Sequence, residues 1–197
     1  MSIIHRTTLT PTKLELLTTW LPTCSWYSGG PGAPVLSRAG GFRLDDPHGE
    51  VGMEFMVVLD GSGDLPVAYQ VPLTYRGAPL DGAEAALVGT SEHGVLGKRW
   101  IYDGTRDPVL LDRTRELLRG LAEPQMQSVS DTPDPSVAVR APAGDAAVDG
   151  LAPHFVRVLD PAAPAPAGAA AQVVAGWRTA QGEEARAVFA ALLPAHR

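Results

Sequence analysis

The sequence predicts an α+β protein: an antiparallel β-meander set between two helices, followed by a small β-rich C-terminal segment. Three observations predict it. Two segments carry helical period behind N-cap signals, a long stretch alternates residue by residue through a turn and back, and the composition turns to Ala, Pro and Gly after residue 122.

Thr10-Pro11 opens the first helix, Thr as N-cap and Pro at the first helical position; Thr12 and Glu15 also have capping-box spacing. Leu14, Leu17, Trp20 and Leu21 fall on one face, and Pro22 ends the helix. Ser28 to Pro34 is a loop. Glu50 to Asp60 then alternates, with Val51, Met53, Phe55, Val57 and Leu59 on one face. Residues 60–64 (Asp-Gly-Ser-Gly-Asp) turn the chain, and Val67, Tyr69, Val71, Leu73 and Tyr75 alternate on the way back. Pro72 has no N–H for a ladder, which predicts an edge or a bulge there. Shorter strands are expected around Ala86–Thr90 and Lys98–Tyr102. Asp107-Pro108 starts a second helix with a stripe of Leu110, Leu111, Thr114, Leu117, Leu118 and Leu121, and Gly120 is its breaker. This first unit covers residues 1–122.

Residues 123–135 read as a linker, and 136–197 as a β-rich segment that packs on the first unit. Within it, 142–150 and 161–171 are low-complexity loops. Strands are expected at Ser136–Arg140, His154–Leu159 and Gln172–Arg178. The last stretch, Gly182–Leu193, reads as the second arm of a hairpin or as a helix, since Ala, Glu, Arg and Leu all favour helices. A tail that folds with the first unit should bring Trp177 and Phe189 against it.

The bulk numbers set limits. A chain of 197 residues makes one or two domains, and 45% hydrophobic residues suffice for a core. With 21 Gly and 18 Pro the chain is loop-rich. A net charge of −6 argues against nucleic acid and against an anionic membrane surface as partners. Cys24 is the single cysteine, so no disulfide can form within the chain. The first residues turn polar at His5 and Arg6, with no leader-like apolar run. A cytoplasmic location is expected.

Several stretches resemble the N-terminal cap of maltokinases. Residues 20–29 run from Trp20-Leu21-Pro22 to Trp26-Tyr27-Ser28-Gly29; Tyr69-Gln70-Val71-Pro72-Leu73 is similar to the cap's second meander strand; and Tyr102-Asp103 followed by Asp107-Pro108 is similar to its exit into a helix. The resemblance covers about residues 10–122. It implies a curved antiparallel sheet packed on a helix, as in small proteins that carry a cap-like domain without the kinase. The cap residues are mainly structural in that family, so the resemblance hands no catalytic role to this chain.

The residues themselves argue against phosphoryl transfer. The chain has no asparagine and only two lysines, Lys13 and Lys98, whereas a kinase needs a phosphate-binding lysine and magnesium ligands. Gly29-Gly30-Pro31-Gly32 lacks the Lys-Ser/Thr of a phosphate loop. Gly61-Ser62-Gly63 belongs to a turn, not a nucleophile elbow. Cys24 has no placed histidine to activate it. The five histidines, His5, His48, His93, His154 and His196, are scattered, so neither a metal nor a cofactor is expected. Asp45-Asp46 and Glu183-Glu184 read as solvated turn residues. Trp26, Tyr27 and Trp100, with Gln70 and Arg76, are the candidate ligand residues, because sugars pack on aromatic faces rimmed by polar donors. The same aromatics serve equally as core. The expected function is non-catalytic: a stand-alone cap-like domain that binds a protein partner, or a second copy of itself, in glucan, trehalose or maltose metabolism. A sugar or sugar-phosphate binder and an enzyme of unrecognised type are the alternatives.

Overall fold

The computed structural model describes residues 9–129, 131–141 and 150–195. Helix α1 (Lys13–Trp20) continues into a 3₁₀ turn at Leu21–Thr23, and α2 spans Pro108–Leu118. The strands are β1 (Leu9–Thr10), β2 (Leu36–Leu44), β3 (Gly52–Asp60), β4 (Val67–Arg76), β5 (Leu87–His93), β6 (Gly97–Asp103), β7 (Gln125–Met126), β8 (Ala138–Arg140), β9 (Leu151–Phe155), β10 (Val158–Leu159), β11 (Ala171–Arg178) and β12 (Glu184–Pro194). Among the described residues they form one open antiparallel sheet of 12 strands, in the order β1-β5-β6-β4-β3-β2-β11-β12-β9. β7 lies on β2, β8 on β11, and β10 returns to β4, which curls the sheet. The molecule is mostly β with two short helices.

Residues of β3 alternate between two buried clusters, one on each side of the sheet. Met53, Phe55 and Val57 point into an inner cluster with Phe42, Leu110, Leu117, Leu118, Trp177 and Phe189. Met56 and Val58 point into an outer cluster with Leu17, Leu21, Tyr69, Val71 and Leu73. The sequence reading gave β3 a single apolar face; the strand is buried on both, because α2 and the C-terminal strands cover one side and α1 the other. Trp177 and Phe189 therefore share a cluster with Phe42 and Phe55, and the Phe42 ring lies 4.4 Å from Phe55 and 6.1 Å from Phe189.

Several local expectations need correction. The cap of α1 is Thr12, in a capping box with Glu15, rather than Thr10, whose backbone pairs with β5 in β1. Pro72 stands in an interior strand without a bulge. Gln70 N–H donates to Arg157 O at 2.8 Å on the side away from β3, and pairing with β6 begins at Leu73. Pro72 thus occupies the gap between two successive neighbours, where a missing N–H costs no ladder bond. Leu121 is 65% exposed, because the chain leaves the helix at Gly120 (φ 72) before a further turn can bury it. Gly182–Leu193 is strand over most of its length: β12 is held by β11 on one side and β9 on the other, which overrides its helix-forming composition. Between α2 and β8 the chain is not a bare linker, since Gln125 and Met126 pair with Arg43 and Phe42. Residues 161–170 have no regular secondary structure; of the other expected loop, 142–149 lie outside the described residues.

Candidate functional site

The outer face of the sheet carries the chemistry. The turn Leu21–Thr23 sends the chain back over β4, and this stacks aromatic rings in a row. Trp20 lies 5.9 Å from Trp26, Trp26 5.9 Å from Tyr69, and Tyr27 5.3 Å from Tyr69. Trp20, Trp26 and Tyr27 remain partly exposed while Tyr69 is buried. Tyr27 donates its hydroxyl to Asp60 Oδ2 at 2.6 Å, and Asp60 also accepts from the amides of Val35 and Ser62, both at 2.9 Å. Burial and then the Asp60 bond push the Tyr27 phenol up to about 12. Asp60 is itself raised by burial, but these donors outweigh that and hold it below the ordinary carboxylate range.

The remaining candidates lie elsewhere. Arg76 and Trp100 are cross-strand partners of β4 and β6. Arg76 forks onto Asp107 with bonds of 2.7 and 2.6 Å, while Asp107 caps α2 through the Val109 amide. This ion pair fixes a helix start, and burial, which raises the pKa of Asp107, is outweighed by Arg76 together with its other hydrogen-bond donors, so that its pKa is lowered. Trp100 packs beside Ala83, Ala86 and Tyr102 and carries the Lys98 ammonium at 5.0 Å. Gln70 is fully buried. With its amide oriented to suit its surroundings, it donates to Val156 O at 2.7 Å and Phe189 O at 3.2 Å. The five predicted residues therefore fall into two sets. Trp26 and Tyr27 share the outer aromatic row; Gln70, Arg76 and Trp100 sit on the opposite pleat of their strands.

Two polar clusters were not foreseen. Glu54, buried near the start of β3, pairs with Lys13 of α1, accepts from Tyr75 Oη at 2.7 Å and from Gln127 Nε2 at 2.5 Å. Burial raises its pKa, but Lys13, Tyr75 and Arg38 together more than reverse this, leaving it lowered. Arg157, between β9 and β10, pairs with Asp103, donates to Thr105 Oγ1 at 2.9 Å, and lays its guanidinium 5.0 Å from the Trp26 ring. Each left a sequence signal: a single charge inside an apolar run, Met53-Glu54-Phe55 and Val156-Arg157-Val158, demands a partner. The thiol of Cys24 is raised to about 11, chiefly by burial, which makes it a poor nucleophile. Among the described residues no three His, Cys, Asp or Glu side chains gather as a metal would need, and no helix is long and apolar enough to cross a membrane.

The architecture defines a domain of antiparallel sheet whose outer face is roofed by a short helix and an aromatic loop. Residues 20–107 match the family model described as the maltokinase N-terminal cap domain. The match begins at Trp20 and ends at Asp107, inside the 10–122 range of the sequence resemblance, and takes in β2 to β6. No curated protein matches the chain.

Proposed function

We propose that this protein is a non-catalytic cap-like domain that binds a protein partner, as a cytoplasmic accessory to enzymes of maltose, trehalose or glucan metabolism. One observation carries the reading. Polar side chains of the matched segment are engaged with one another, Arg76 with Asp107, Tyr27 with Asp60 and Glu54 with Tyr75, and Glu54 also holds Lys13 of α1. Groups used in this way hold a shape, and a shape is what a docking domain offers. The test mixes the purified protein with purified maltose-, trehalose- and glucan-processing enzymes and follows sedimentation. A faster-moving complex with one of them is the expected result, together with no phosphate transfer from ATP to maltose by the protein alone. Transfer that a single substitution in this chain abolishes would refute the non-catalytic reading.

A second reading, sugar binding, has its own observation: Trp20, Trp26 and Tyr27 are partly exposed in one row. Titration with maltose or glucose 6-phosphate should then change the tryptophan fluorescence, and Trp26→Ala should remove the change.

A further inference from the structure

Strand β10 is two residues long, yet it is gripped by more groups than its ladder supplies. Val158 pairs with Tyr69 and Leu159 with Ala68. Gln70 alone makes two bonds to the segment just before it, backbone N–H to Arg157 O and side-chain amide to Val156 O. Arg157 enters a pocket made of the Trp26 ring, Asp103 and Thr105, all from the matched segment. Leu159 is buried in the inner cluster, whereas Val158 remains 40% exposed. Alternate side chains are thus read by pockets while the backbone is read by β4. That is how an extended peptide is recognised when it adds to a sheet edge.

The grip is also local. On the N-terminal side, β9 is paired to β12 over five residues and is independent of β4. On the C-terminal side, 161–170 have no regular secondary structure, which leaves slack before β11. Lifting residues 156–159 from β4 leaves the β9–β12 and β11–β12 ladders in place and breaks one further backbone bond, Val156 N–H to Phe189 O at 2.9 Å. Beyond them the edge is interrupted at Pro72, so the acceptor is a short slot of Ala68 to Gln70.

We propose that this β4 edge is a strand-accepting site, filled in the resting protein by its own residues 156–159. It takes, in exchange, an extended segment of the pattern apolar–Arg–apolar–Leu from a protein partner. The proposal rests on the protein-binding reading above and names the kind of segment that partner would present.

The probe is a fluorescein-labelled peptide of residues 153–162, added to the full chain carrying Arg157→Ala, which weakens the resident strand and leaves the slot intact. Polarisation should report binding at least about tenfold tighter than to the unaltered protein. The same peptide with its arginine replaced by alanine, or the protein with Asp103→Asn added, should bind at least about tenfold more weakly. No binding of the peptide to a folded Arg157→Ala protein would overturn the proposal. Should that variant not fold, hydrogen exchange in the unaltered protein decides. The Gln70 amide, bonded to Arg157 O, should exchange at least about tenfold faster than that of Val71 in the same strand; equal protection of the two overturns the proposal. Failure here leaves the sedimentation test untouched, since a partner can dock elsewhere.

Discussion

Phe55 and Asp107 show what single side chains do here. The Phe55 ring is stacked on Phe42 at 4.4 Å and has no exposed surface. Phe55→Ala should cost about 3–5 kcal/mol of unfolding free energy, read from urea melts. Asp107 and Glu54 are both held below their ordinary pKa, so the sign of the pH effect is fixed. Their stabilisation is present above the unfolded carboxylate range and is lost as pH falls through the folded values. Acid titration by circular dichroism should show unfolding below about pH 4, and Asp107→Asn should flatten that loss while lowering stability at neutral pH. Tyr27 works in the other direction. Its phenol is raised from 10.0 to about 12, so its contribution is full below pH 10 and disappears as pH climbs toward 12. In Tyr27→Phe the alkaline loss of stability over that window should be smaller.

At the scale of elements, α1 is fastened by apolar residues at one end and by one ion pair at the other. Leu17 and Leu21 enter the outer cluster, and Lys13 neutralises Glu54. Lys13→Met leaves a buried carboxylate without its countercharge, at a cost of about 3 kcal/mol. Adding Glu54→Leu should recover most of that in thermal melts; no recovery would show that α1 is held by something else. The elements themselves were largely legible in the sequence. Thr12 with Glu15, and Asp107 with Pro108, are local signals that need no tertiary context. Residues 184–194 were ambiguous because Ala-rich strands and helices differ only in their neighbours, and those neighbours, β9 and β11, are remote in sequence. For the same reason the candidate ligand residues could not be sorted. In the sequence Arg76 and Trp26 read only as a polar and an aromatic candidate, remote from each other along the chain. The register of β4 with β6, and the stacking of Arg157 on Trp26, decide that they face different surroundings.

For the molecule as a whole, the inner cluster draws on both halves of the chain. Phe42, Phe55 and Leu117 come from the first 122 residues; Trp177, Phe189 and Leu192 from the last 27. A protein cut after residue 122 would expose the first set. It should associate or aggregate, seen as a rise in sedimentation coefficient with concentration, and should melt below the full chain. A cut protein that stays monomeric with an unchanged melting point would show that the two halves are energetically separate.

Because β3 is apolar on both pleats, hydrophobicity gives it no reason to prefer one alignment over the next. Sliding it by one position would still put large apolar side chains on each side. What distinguishes the alignments is a pair of carboxylates, Glu54 and Asp60, on the same pleat near the two ends of the strand. In the native setting each meets its own donors, Lys13, Tyr75 and Gln127 for one, Tyr27, Val35 and Ser62 for the other. In the shifted setting both would be thrust among the phenylalanines with no donor in reach. The two acids act as a positional key for the strand, and an oily strand so keyed has a single place to lie.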